Sequence, residues 1–417
     1  YMLERINSFV WGNGLVLLLL FTGILYTLKL RFIQFRAIPF VLRSAFSENK
    51  NSNRGLSQWK TVCMSLGTAM GTGNITGVAA ALAIGGAGSI FWMWVSAFLG
   101  MALVYSENSL SVKYSTADCK GPMAYISKGL GSPVLAVCFA VFCVLASLGM
   151  GSMVQVSAVA QSIRQYINVN PYILAVIVFA AVFAVVSGGA DRIGTVAQYL
   201  LPAASVAYAV ACIWIISTHI DSVPAAFMKI FSGAFGVRQA VGGISGALIS
   251  KSLSVGIRRG IFSNEAGLGS SPFLHSSAES DCERLQGMWA MFEVFFDTMV
   301  CCTLSAVTFI CASSEFSVSE TFSTLPLGIG KPFIAAELTV FAFCTIIGWY
   351  YCGESAFSYI LPNTGTMIFC LIYAFSASLG AVCRAEAVWT LSDIFNGLMA
   401  FPNLAALLLL IKKVKRE

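Results

Sequence analysis

Apolar runs of about twenty residues alternate with short charged clusters along nearly the whole chain. A helix needs about 20 mostly apolar residues to cross the hydrocarbon of a bilayer. The pattern predicts eleven such segments, at 10–28, 58–84, 88–112, 134–160, 171–189, 194–217, 238–262, 285–312, 333–358, 364–383 and 390–411. The connections between them are short, so no separate soluble domain fits. The predicted class is an all-α polytopic membrane protein.

Two of the segments are interrupted. The stretch "SLGTAMGTGNITGVAAALAIGG", residues 65–86, carries six glycines and Asn74 inside an otherwise apolar run. Each glycine costs a helix roughly 0.5–1 kcal/mol relative to alanine. A dinucleotide-binding finger is excluded: the third glycine of "GTGNITG" falls one residue late, no strand precedes it, and Trp92 and Trp94 follow where an acidic ribose ligand belongs. Two readings remain. Gly67 with Gly71, and Gly73 with Gly77, form G-x-x-x-G pairs that let helices approach closely. Alternatively the backbone leaves the helix near Thr72 and Gly73, which is tolerated at membrane depth only where it is buried in protein or lines a cavity.

The seventh segment decides between them, because "AVGGISGALISKSL" places Gly242, Gly243 and Gly246 in a comparable position. Set the first segment aside, and the other ten divide into two sets of five, each opening with a glycine-interrupted helix. Five is odd, so the sets run in opposite orientation. Paired discontinuous helices in an inverted repeat point to the binding site of a secondary transporter. The organisation predicted is an extra N-terminal helix with a basic loop (1–50), a first five-helix repeat (51–230) and a second, inverted one (231–417).

Composition agrees with the pattern. Hydrophobic residues make up 57% and charged residues 11%, against about 25% charged in soluble domains. The first segment is followed by Lys29, Arg31, Arg36, Arg43, Lys50, Arg54 and Lys60, a stop-transfer flank that predicts a retained span. Placing that loop in the cytoplasm leaves only Arg5, Arg164, Lys229, Arg238, Lys331 and Arg384 outside, of 25 Lys and Arg. The N-terminus is then outside and the "KKVKRE" tail inside the cell, across the plasma membrane. This asymmetry accounts for the net charge of +6 and leaves a nucleic-acid partner without support. The thirteen cysteines include no C-x-x-C pair and read as buried free thiols. His219 and His275 are too isolated for a zinc cluster.

Three segments, "GTGNITGVAAALAIGGAGSIFWMWVSAFLGM", "GIRRGIFSNEAGLGSSP" and "FAFCTIIGWYYCGE", resemble, in order, the signature segments of the alanine or glycine:cation symporter family. The resemblance spans essentially the whole chain. It implies a leucine-transporter-type fold preceded by one extra helix, and sodium-driven uptake of small neutral amino acids. It also implies roles for particular residues. N–H groups at Thr72 and Gly73 would meet the substrate carboxylate, as a half-helix N-terminus can without a charged side chain. Asn74 resembles a residue of the substrate and cation site, or else ties down the unwound loop. Gln155 matches a glutamine that reaches the substrate, while Ser152 and Ser157 stand where the family usually has asparagine. Gln161 and Gln165 read as polar residues at the helix end. For sodium, the Thr345 hydroxyl joins carbonyls of Gly67 and Met70, unless Thr345 merely bonds its own i−4 carbonyl; Cys344 is too soft a ligand.

Alanine and glycine are the substrates this implies, with glutamine or serine as alternatives given the altered surroundings of Gln155, and proton coupling as the alternative to sodium. Among the carboxylates, Glu293 and Asp297 are four apart on one helix face and order a second cation, carry a proton, or bridge to Lys251. Glu107 and Glu354 fall near cytoplasmic ends, where snorkelling or capping suffices. Arg258, Arg259, Asn264 and Glu265 form an inner gate or brace. No catalytic motif of a membrane enzyme lies in the spans, and a channel requires a more continuous polar lining than two short breaks.

Overall fold

Helix boundaries follow from where backbone donors and acceptors run out. In the computed structural model, which describes residues 2–45, 55–164, 166, 169–236, 245–280, 282–313, 315–362 and 364–415, almost every described segment is helical; the β-structure there consists of isolated bridges such as Leu56 with Ala278. In an apolar solvent this is the expected outcome, since a helix satisfies its own backbone groups.

After a short helix, Met2–Val10, come α1 (Asn13–Lys29) and α2 (Gln34–Ala45). Next come α3 (Gln58–Ala69), started by the Ser57 hydroxyl accepting from the Lys60 N–H, α4 (Thr76–Gly85) and α5 (Gly88–Tyr114). They are followed by α6 (Pro133–Leu148), α7 (Val154–Arg164), α8 (Pro171–Val186), α9 (Gly189–Thr218) and α10 (Val223–Phe235). The longer helices that follow are α11 (Ser245–Asn264), α12 (Glu283–Val294), α13 (Thr303–Ala312), α14 (Gly330–Ile360), α15 (Thr366–Leu379) and α16 (Ala385–Leu409). A π-helical turn, Gly149–Met153, joins α6 to α7, and another, Phe295–Cys302, joins α12 to α13. Among the described residues, seven helical stretches are long and apolar enough to cross a membrane, while α4, α8 and α15 are apolar but shorter.

Packing makes two clusters. Helices α1, α10, α11 and α12 pack against α5; α3, α6, α7 and α9 pack against α14. The approach of α5 to α10 depends on missing side chains: a Cβ on Gly88 would stand 2.2 Å from the carbonyl carbon of Gly233. Apolar side chains such as Tyr172, Val176, Tyr199, Val206 and Ile213 point outward from α8 and α9. The polar residues Thr72, Asn74, Gln155, Asp297 and Thr345 are instead buried. Apolar outside and polar within is the inverse of a soluble protein and suits lipid surroundings.

The expected span at 58–84 is two helices. Between them Met70 and Gly71 leave helical geometry, Gly71 with φ −106° and ψ −152°, and Thr72–Asn74 forms one 3-10 turn. Of the glycines in the second expected interruption, Gly242 and Gly243 lie outside the described residues, and Gly246 falls in the first turn of α11.

Candidate functional site

The break between α3 and α4 leaves N–H and C=O groups that no helix satisfies, and three elements converge on it. From α7, Gln155 reaches the 3-10 turn: its Oε1 accepts from the Thr72 N–H at 3.3 Å and from Thr72 Oγ1 at 3.0 Å. Its Nε2 donates to the Met150 carbonyl at 3.2 Å, inside the π-turn that precedes α7. A π-turn shifts the register of helix hydrogen bonds and is frequent at functional sites. Here it provides the acceptor that orients Gln155.

From α14, Thr345 Oγ1 donates to the Gly67 carbonyl at 2.8 Å and to its own i−4 carbonyl, Phe341, at 3.2 Å. The i−4 bond expected of a helical threonine is therefore present, beside a second bond that reaches the broken helix. Gly71 is the junction: a Cβ there would stand 2.6 Å from Thr345 Oγ1 and 3.0 Å from Gln155 Oε1. The sequence offered Gly71 as a helix-packing residue or as part of the break, and here it lies in the break. Met70 ends α3 with its N–H on the Leu66 carbonyl at 2.6 Å.

The third element is the π-helical segment after α12. Asn74 Nδ2 donates to Asp297 Oδ1 at 2.6 Å, and Asp297 Oδ2 accepts from Ser263 Oγ and Thr298 Oγ1, each at 2.8 Å. Asn74 thus ties the broken helix to α11 and to the 295–302 segment. Gly73 faces the ring of Phe262, which stacks on Trp389 with centroids 5.8 Å apart. Trp389, Thr76 and Gln161 line a cavity of about 270 Å³ beside the break. Gln161, in the last turn of α7 as expected, also lines this cavity; Gln165 lies outside the described residues.

Several expectations are corrected. Neither Glu293 nor Asp297 bridges to Lys251, which is exposed. Asp297 bonds Ser263 on α11, and Lys251 sits twelve residues away on that helix, about 18 Å along its axis. The two carboxylates also lie across the start of the π-segment, so they have different partners: Glu293 bonds Ser65 Oγ at 2.5 Å and His275. Glu107 does not snorkel. It is buried, with Oε1 accepting from Asn403 Nδ2 at 2.5 Å. Glu265, in a left-handed conformation at φ 55°, accepts from Trp349 Nε1 at 2.8 Å and Ser270 Oγ at 2.5 Å. Sequence reasoning also missed His275, whose partners Gln286 and Glu293 come from a helix it precedes in the chain.

This arrangement has counterparts in known proteins. The sequence description of the sodium:alanine symporter family matches residues 1–417. The sodium/alanine symporter AgcS of Methanococcus maripaludis is 36% identical, the match covering 100% of this chain and 96% of that one. The probable sodium/glutamine symporter GlnT of Bacillus subtilis is 34% identical over 98% of this chain and 87% of its own. In fold, the chain is similar to a substrate-bound, outward-open Na+-coupled sialic acid symporter, with a TM-score of 0.63, 14% identity, and coverage of 97% and 86%. That likeness gives the leucine-transporter-type fold, and the sequence matches over the full length give the membership: the chain belongs to the sodium:alanine symporter family, which are multi-pass membrane transporters and not enzymes.

Proposed function

We propose that the protein couples sodium influx to uptake of alanine and glycine by alternating access. The observation that carries the reading is the broken helix, where the Thr72 N–H, the Gln155 carboxamide and the Thr345–Gly67 bond all meet around Gly71. The Gln155 carboxamide oxygen occupies the half-helix N-terminus where a substrate carboxylate would be held. When substrate arrives, its carboxylate takes the Thr72 and Gly73 N–H groups, and Gln155 turns its amide onto the amino acid. Asn74 keeps the turn in place from the Asp297 side.

Sodium prefers hard oxygen ligands. Thr345 Oγ1 and the Gly67 carbonyl, 2.8 Å apart, are two such ligands, and the Met70 carbonyl at the end of α3 is the third. The ion replaces the hydroxyl's hydrogen bond with coordination. The motif residues Gly242, Gly243 and Gly246 would supply the second half's part of the substrate site. The full topology in this reading is eleven spans, a single helix followed by a five-plus-five inverted repeat, with the N-terminus outside and the C-terminus in the cytoplasm.

A second reading is transport of glutamine or another neutral amino acid. The cavity beside the break favours it, since Gln161 and Ser162 give it polar lining beyond what an alanine methyl requires. A thermal-shift screen of the twenty amino acids, each in sodium and in potassium, separates the two, because a ligand that binds only the folded state raises Tm. Alanine and glycine should stabilise the protein in sodium and not in potassium. Stabilisation by glutamine alone would replace the first reading with the second, and the absence of any sodium-dependent shift would remove both.

A further inference from the structure

A second and much smaller cavity, of about 10 Å³, lies between α3, α5, α12 and the segment after α11. That is roughly the room one water-sized particle needs. Ser65, Thr68, Asn264, Glu265, Ser270 and Glu293 line it, so two carboxylates share one small space.

Their charges are not balanced by the protein. The partners of Glu265 are neutral donors, Trp349 and Ser270. Glu293, 4% exposed, accepts from Ser65 Oγ through Oε2. His275 Nε2 is 3.2 Å from Oε2 and 3.1 Å from Oε1. Its hydrogen-bond geometry serves Oε2, and Oε1 receives no hydrogen bond. The imidazole adds at most one positive charge. Gln286 Nε2 donates to the Ser280 carbonyl at 3.3 Å and to Gln58 Oε1 at 2.7 Å, which turns Gln286 Oε1 toward His275 Nδ1 at 2.7 Å. The Nδ1 must therefore carry a proton, and any second proton lies between Nε2 and Glu293. With both carboxylates ionised, one imidazolium leaves a negative charge in a buried place, which is costly without a partner.

A second orphan acceptor belongs to Asn108, which hydrogen-bonds two residues of the lining without being part of it. Asn108 Nδ2 donates to the Val104 carbonyl and to Ser271 Oγ, both at 2.8 Å, and both those residues line the space. Its Oδ1 is buried without a hydrogen bond. An orphan carboxylate oxygen, surplus negative charge and room for one small particle define a receptor for a hard cation.

We propose that this cavity holds a second sodium ion, with Glu293 Oε1 as its anchoring ligand and Glu265 and the Ser65 and Thr68 hydroxyls around it. The inference adds to the sodium-coupled reading above and needs that reading only in the identity of the ion. Ser65 and Thr68 flank Gly67 in α3, so the two ions would brace the same half-helix from separate sites.

The test is equilibrium binding of radiolabelled sodium to the purified full chain in detergent, with choline holding ionic strength constant. The parent should bind two ions per chain, and Glu293→Gln and Thr345→Ala one each. Glu293→Asp keeps the charge and withdraws the oxygen by one methylene; it should weaken one ion by about tenfold or more and leave the other unchanged. A monodisperse gel-filtration peak and a cooperative thermal transition in detergent report that each variant is folded. A parent that binds one ion, lost in Thr345→Ala and kept in both Glu293 variants, overturns this inference and leaves the proposed function standing. A Glu293→Gln protein with undiminished sodium stoichiometry but lost proton uptake assigns the cavity to a proton and also overturns it. A parent that binds no sodium overturns both proposals.

Discussion

Gln155 shows how one side chain can serve two states. In the structure its oxygen satisfies the Thr72 N–H and hydroxyl, and its nitrogen donates to the Met150 carbonyl. With substrate bound, the same amide is free to turn. Gln155→Ala should therefore weaken amino-acid binding by about 1–3 kcal/mol, the range for leaving a buried polar partner unpaired, while Tm without substrate changes little. Equal binding of every amino acid by variant and parent would make Gln155 a packing residue. Residues that motifs carry were legible in the sequence, among them Thr72, Asn74, Gln155 and Thr345. The partners of those residues were less so: Asn74 meets Asp297 across 223 positions, and Thr345 meets Gly67 across 278. His275 carried no local signal, because a lone histidine acquires meaning only from what the fold brings to it.

Breaks announced by glycine could be read at the level of elements, but breaks of hydrogen-bond register could not. Glycines at 67, 71 and 73 place the interruption between α3 and α4 to within a few residues. The π-turns at Gly149–Met153 and Phe295–Cys302 have no comparable signature, since almost any residue can sit in one. Yet the first orients Gln155, and the second separates the environments of Glu293 and Asp297. Glycine also governs packing between elements. Gly88→Val would drive a side chain into the Gly233 backbone, 2.2 Å from where its Cβ must stand. The expected cost is about 1–3 kcal/mol for overpacking, seen as a lower Tm in detergent with sodium affinity retained. An unchanged Tm would contradict the close approach of α5 to α10.

For the whole molecule, orientation follows from charge. The run Lys412, Lys413 and Lys415 after α16, together with the basic loop after α1, should face the cytoplasm. Reporter fusions or cysteine accessibility at the C-terminus should place it inside the cell, and an external tail would refute the inverted-repeat arrangement along with the orientation. Membership of the family was legible because three motifs keep their order over the full chain. The repeat was inferred from two glycine interruptions, and the second of these, at Gly242 and Gly243, falls outside the described residues.

What makes such a molecule a symporter is that ion and amino acid share one equilibrium. In the proposed reading, sodium at Thr345 and Gly67 would hold α14 to the end of α3, and that end would set the turn that presents the Thr72 and Gly73 N–H groups. Linkage is reciprocal, so sodium should raise amino-acid affinity by the factor that amino acid raises sodium affinity, typically about 5- to 150-fold. The direct measurement is amino-acid affinity across a sodium titration, with potassium holding ionic strength, for the parent, Thr345→Ser and Thr345→Ala. The parent and Thr345→Ser should show the sodium-dependent gain, and Thr345→Ala should keep only weak, sodium-insensitive binding. An undiminished sodium gain in Thr345→Ala would contradict the account by moving the coupling ion away from the broken helix.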